Sequence, residues 1–340
     1  MSHQHSPAPL SPALREALGG LRITDGTPRV EVDDDLVVAA DTWSELRSAL
    51  AGLLYERWHA GIARREGPAR LPRRSASFES ELIAATGHTR TVAAGVLRSP
   101  VGAAEDGADA PVRVELGRVL VGVRAGAVRP DGPPAVGRPC LVELPAVRPA
   151  LSPGFLLVDG PGGAPVAAGE VLRLYVHLAE PGAAPPVWRA LLERLAGLGV
   201  RYRAKVLSRP WTYPRRDAVV VYLDAGDAGA APLLAEAVAG LPGIAAEASV
   251  FASPLRPGVA LAWEPRDGRD GWGGRSFGQH RAAAVADGVV RRAADPAGPP
   301  LAEQVARALH EASASPAEPA RNLGSPALPA PAVPDVDVLV

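Results

Sequence analysis

The chain has 340 residues, 36 basic against 37 acidic side chains, a net charge of -1, 47% hydrophobic and 21% charged residues. These proportions suit a folded protein rather than a disordered one, and the near-neutral charge excludes a globally basic nucleic-acid binder. A single Cys (Cys140) excludes a disulfide framework and any multi-Cys metal site, and no apolar run reaches the roughly eighteen residues of a membrane span.

The N-terminus reads Met-Ser-His-Gln-His-Ser-Pro, without the basic and apolar stretches of a secretory signal, so a cytoplasmic protein is expected. Four regions are expected. Residues 1–28 are Ser/Pro/Gly-rich and read as unstructured; 29–150 read as a helical region with a small β part. Residues 151–312 read as an α+β region, a mixed or antiparallel sheet packed with helices. Residues 313–340 are Ala/Pro/Ser-rich and read as a disordered tail.

In chain order, Thr42-Trp43-Ser44-Glu45 reads as a capping box. Trp43, Leu46, Leu50, Leu53, Leu54, Trp58 and Ile62 then recur at helical spacing, predicting one amphipathic helix over 42–64. A short helix is predicted at 77–86. Residues 112–123 read as a strand broken by Gly117, followed by proline-rich turns at 130–149. Strands are predicted at 171–178, 202–207, 217–224 and 246–252. Helices are predicted from Pro186 to Leu198, closed by Gly199, and over 229–239. That order is the split βαβ pattern. A last helix runs from Phe277 into the 290s, with Ser276 as its N-cap.

The composition carries one oddity: 35 of the 36 basic residues are Arg, and Lys205 is the single Lys. A GC-rich coding bias accounts for the arginines, and it leaves open why one position stayed Lys. Lys205 lies in the most basic stretch, 201–216, which has six positive charges and no negative one. On a 202–207 strand, Arg201, Arg203 and Lys205 share one face, while Tyr202, Ala204 and Val206 take the packing face. Such a face suits an anionic ligand, although a charge run alone usually means a solvated strand face. Arg173, Tyr175 and His177 alternate on another strand, which an edge position would explain. Ser276 and His280 mark a helix N-terminus that attracts anions. His59 reads as a surface or packing residue beside Trp58.

Several short motifs together resemble a known family. Arg173-Leu-Tyr175, Val200-Arg-Tyr-Arg-Ala-Lys205-Val, Tyr213-Pro-Arg-Arg216-Asp217 leading to Tyr222, Leu255-Arg-Pro-Gly258-Val, and Ser276-Phe277-Gly278 with Arg281 are similar to the HopA-type type III secretion effector family. The likeness spans about 150–290, with a weaker echo at Leu54-Tyr55. The chain has His177 where the family pattern implies Asn. Relatives in biosynthetic clusters for class V lanthipeptides and thioamitides imply a lyase. It would remove phosphate from phosphoserine or phosphothreonine of a precursor peptide phosphorylated by a kinase-like partner. No metal or organic cofactor is expected for that reaction. The resemblance implies Lys205 as base, because Arg does not deprotonate in proteins and Lys can. It implies Arg173, Arg203, Arg216 and Arg281 as phosphate ligands, and His177 or His280 as acid. Asp217 would orient an Arg, and Tyr175, Tyr222 and Ser276 would line the site. The alternatives are a non-catalytic phosphopeptide- or leader-binding scaffold, and an effector that engages a host protein.

Overall fold

Apolar and polar residues alternate most regularly between 171 and 224, and there the chain builds the centre of its largest sheet. The computed structural model describes residues 9–33, 36–62, 74–100, 111–166 and 169–330. Its regular elements begin with α1 (Pro12–Gly19), β1 (Leu21–Ile23), β2 (Arg29–Val32), β3 (Leu36–Ala39), α2 (Trp43–Leu54) and α3 (Ala76–Ala84). The middle of the chain adds β4 (Arg90–Leu97), β5 (Pro111–Leu116), β6 (Val119–Arg124), β7 (Val128–Pro130), β8 (Pro139–Pro145), β9 (Val147–Ser152) and β10 (Phe155–Asp159). The rest comprises β11 (Val171–Leu178), α4 (Ala184–Leu198), β12 (Tyr202–Leu207), β13 (Arg215–Asp224), α5 (Ala230–Ala237), β14 (Ser253–Arg256), β15 (Val259–Trp263), α6 (Phe277–Ala294) and α7 (Leu301–Glu311).

The expected α+β class holds, and among the described residues every pairing between strands is antiparallel. A seven-stranded sheet runs β14-β15-β11-β13-β12-β10-β9. A five-stranded sheet runs β6-β5-β4-β8-β7, and a small one β1-β2-β3. The large sheet is covered on both faces. Leu172, Leu174, Val176, Ala204, Val206 and Val221 meet Trp188, Leu191 and Leu195 of α4 and Leu234 of α5. On the reverse, Tyr175, Val220, Ala260 and Ala262 meet α2, α6 and α7 through Leu50, Leu54, Phe277, Val285 and Leu309. Hydrogen-bonded to β13 on one side and β15 on the other, β11 is an interior strand and not an edge.

The 171–178 and 202–207 strands appear at their predicted bounds. The capping box of α2 is formed, with Thr42 Oγ1 accepting from Glu45 N at 3.2 Å and Glu45 Oε2 accepting from Thr42 N at 3.1 Å. That helix does not run to 64 as an α-helix. It passes at Tyr55 into a π-helical turn, Tyr55–Ala60, which ends at Gly61. Gly117 sits with φ +63° in a turn, so 111–124 is a hairpin and not one broken strand. The proline-rich 130–149 is not only turns: β8 keeps its prolines at its ends, and Pro149 lies in the edge strand β9, where a missing N–H costs no ladder bond. The 246–252 segment is not a strand; the hairpin of β14 and β15 follows it instead.

Both ends are more ordered than their composition suggests. Of the 1–28 stretch, residues 1–8 lie outside the described residues, and α1 buries Leu14 and Leu18 against the second core cluster. Of the 313–340 stretch, residues 331–340 lie outside them, while Ala314, Ala320, Asn322 and Ser325 are buried. The backbone of that stretch is satisfied by the body of the protein: Trp263 N donates to Ala320 O at 2.8 Å, and Trp263 Nε1 to Pro326 O at 2.9 Å.

Candidate functional site

A cleft of about 510 Å³ lies on the face of the large sheet toward α2 and α6. β11 contributes Arg173 and Tyr175, β12 Lys205, β13 Asp217, Val220 and Tyr222, and β10 Phe155. The loop before α6 adds Glu264, Asp267, Trp272 and Arg275, α6 adds Gln279 and His280 after its N-cap Ser276, and the π-turn adds Tyr55 and His59. Strand alternation sends Arg173 and Lys205 to this face, because their neighbours pack on the other side. Asp217 arrives by a shift in register between β11 and β13 around Val176 and Leu178.

Lys205 stands apart electrostatically. Its Nζ lies 4.5 Å from the Phe155 ring centroid and 5.9 Å from that of Tyr222. Among the described residues it makes no hydrogen bond or ion pair. Arg275 at the rim is similar, its guanidinium held over the Trp272 ring at 4.5 Å. Arg173 stacks over Tyr222 at 5.0 Å and gives its Nε to Glu264. The Tyr175 hydroxyl is buried beside Arg173 without an aligned hydrogen bond, and burial pushes its phenol well above the ordinary range. Asp217 grips Arg215 by two bonds, at 2.6 and 2.7 Å, and Arg215 also donates to Tyr55 Oη at 2.9 Å. Burial alone would raise the Asp217 carboxyl, yet Arg215 and the nearby His59 and Lys205 hold it below its usual value.

His280 and Asp267 form a second pair. Arg281 Nη1 donates to His280 Nδ1 at 2.8 Å, which fixes the neutral tautomer with its proton on Nε2, donated to Asp267 Oδ2 at 2.9 Å. Burial and Arg281 depress the imidazole to about 4. Burial opposes the Asp267 charge, but its bonds from Arg269 and His280 bring it to about 2.

The structure thus gathers Lys205, Arg173, Tyr175, Asp217, Tyr222, Ser276 and His280 in one cleft. It does not bring four other expected residues to the lining. Arg203 is held by Asp159 at 2.6 and 3.2 Å. Arg216 donates to Arg57 O at 3.1 Å. His177 Nδ1 lies 3.0 Å from Glu247 O. Arg281 is buried behind the cleft, donating to Pro319 O, Arg321 O and Asn322 Oδ1. Each of the four is bound by local polar groups and stands outside the cleft lining in this structure.

Conversely, the reading of His59 as a surface or packing residue missed its place in the cleft. Its ring is buried in the cleft wall, with Nδ1 2.9 Å from Ser249 Oγ and Nε2 3.9 Å from Asp217 Oδ2. Gly278 makes room for it: a Cβ there would come within 2.1 Å of His59 Cδ2. Glu264, Asp267 and Arg275 were also missed, since a Pro/Gly-rich loop gives no periodic signal. Among the described residues no cluster of His, Cys, Asp and Glu could hold a metal ion.

Residues 146–321 match the model of the HopA1 effector protein family. Among solved structures, the chain is similar to the effector protein from Pseudomonas syringae pv. tomato strain DC3000, at 14% identity and TM-score 0.46, covering 84% of this chain and 91% of that one. It is also similar to the effector protein from Pseudomonas syringae pv. syringae strain 61, at 14% identity and TM-score 0.44, covering 83% and 90%. No curated protein matches.

Proposed function

The chain belongs to the HopA1 effector protein family, and we propose that its cleft binds a phosphorylated Ser or Thr side chain of a peptide and eliminates the phosphate, leaving dehydroalanine or dehydrobutyrine. The observation that carries this reading is the amine of Lys205, which faces the cleft beside Arg173 and Asp217 with no carboxylate bound to it among the described residues. Arg275 and Arg173 supply guanidinium donors for phosphate oxygens. The N-terminus of α6 adds the positive end of an 18-residue helix.

In the reaction, Lys205 first gives its ammonium proton to solvent, and the Nζ lone pair so freed takes the proton from Cα. The C–H electrons form the Cα=Cβ double bond, the Cβ–O bond breaks, and phosphate departs with that electron pair toward Arg173 and Arg275. Cations aimed at the leaving oxygens stabilise the charge that develops there. A kinase-like protein would supply the phosphorylated precursor peptide.

The test is incubation of the protein with a phosphoserine peptide, read by mass spectrometry. The expected result is loss of phosphoric acid and a product that adds thiols. Lys205→Arg should keep phosphopeptide binding and lose elimination, because a guanidinium keeps its proton. Full activity in that variant overturns the base assignment. Tight binding of the phosphopeptide by wild type with no mass change would favour a binding scaffold instead.

A further inference from the structure

The elimination leaves one proton unaccounted for. A phosphate monoester dianion that leaves without a proton would depart as a trianion, so a donor within reach lowers the barrier. Neither His expected as the acid is free to serve: His177 lies off the cleft, and both ring nitrogens of His280 are engaged.

His59 meets the requirement on geometry. It comes from the π-helical turn that ends α2, a distortion often found at functional sites. It lies outside the 146–321 span that matches the family model. Ser249 fixes one nitrogen, and the rings of Tyr175 and Phe277 lie 5.4 and 5.7 Å away, holding the imidazole in place. Its other nitrogen faces Asp217 at 3.9 Å in the cleft wall. A π-turn, a glycine that makes room on α6 and a serine anchor are more than packing of an ordinary core residue calls for.

We propose that His59 delivers the proton that leaves with the phosphate, and that it takes up this proton when the phosphorylated side chain enters the cleft. The proposal rests on the lyase reading above. The groups facing the ring are Tyr55 on its own turn, Tyr175 and Arg173 on β11, Lys205 on β12, and Arg215 and Asp217 on β13. Without ligand, burial and the three cations outweigh Asp217 and keep the imidazole neutral, with its pKa at about 4. A dianion among those cations offsets their field and favours the imidazolium. By linkage, binding the dianion and binding the proton then reinforce each other. On elimination the imidazolium N–H bond breaks toward the departing oxygen, giving hydrogen phosphate and neutral His59. The proton on Lys205 is lost to solvent.

The test pairs two leaving groups on the same peptide, phosphoserine and O-sulfoserine. Sulfate leaves as a stable dianion and needs no proton. With His59→Gln, elimination of phosphate should fall by at least about 100-fold, the usual size of an acid's contribution. Elimination of sulfate should fall only a few-fold. Equal losses on both substrates, or none, overturn the proposal while leaving the lyase reading intact. If wild type eliminates phosphate from no phosphopeptide, the lyase reading fails and the proposal with it. A second measurement does not depend on the variant's folding. Calorimetric titration of wild type with inorganic sulfate, in buffers of different protonation enthalpy at about pH 6, should register proton uptake. The uptake should persist in Lys205→Met, and its absence from wild type overturns the proposal.

Discussion

At the residue scale, two buried imidazoles make the protein's stability depend on pH. His59 and His280 are both held near 4, chiefly by burial, against about 6.5 for an ordinary His. A His whose pKa is depressed in the folded state binds its proton more readily when unfolded. The stability it contributes is therefore complete above about pH 6.5 and is lost as the pH falls toward 4. Each group is worth on the order of 3 kcal/mol over that window. Urea melts between pH 7 and 4 should show stability falling steadily. His59→Gln should flatten the slope by about one proton. A slope unchanged by that substitution would mean the ring is charged in the native state.

At the element scale, α2 and α6 both start with capping boxes, Thr42 with Glu45 and Ser276 with Gln279. The two caps differ in what stands next to them. Thr42 lies at an exposed helix start, and its loss should cost about 1 kcal/mol and leave phosphopeptide affinity unchanged. Ser276 lines the cleft, so Ser276→Ala should cost a similar amount of stability and also weaken phosphopeptide binding. Thermal melts together with binding titrations of the two variants separate the effects. The same contrast explains α2 itself. Its apolar positions Leu46, Leu50 and Leu54 predicted the helix and its core face. The π-turn came unannounced, because an added residue in one turn leaves no mark on a short periodic pattern.

At the scale of the whole molecule, the C-terminal stretch braces the site. Asn322, the chain's single Asn, accepts from Arg281 Nη2 at 2.8 Å and donates to Glu264 O at 2.7 Å. Glu264 in turn holds Arg173, so a residue read as part of a disordered tail connects α6 to a cation in the cleft. Asn322→Ala would leave a buried guanidinium donor and a carbonyl without partners, at about 1–3 kcal/mol. It should lower the midpoint of denaturation, and through Arg173 it should loosen phosphate binding. An Asn322→Ala variant as stable as wild type would show that the brace is dispensable.

The sequence by itself determined the strands at 171–178, 202–207 and 217–224, the helices that follow 186, 229 and 277, and the cation-bearing face of the 202–207 strand, but not the 253–263 hairpin. Those properties follow from periodicity and from caps a few residues long. It also singled out Lys205 through composition alone. What it could not determine was which charged groups remain available. Arg203, Arg216 and Arg281 look like Arg275 in sequence. They are taken by Asp159, Arg57 O and Asn322, which stand at least 41 residues away along the chain. His59 entered the cleft because a π-turn, Ser249 and Gly278 converge on it from three separate segments. Pairing and burial are long-range properties, and only the tertiary structure assigns them.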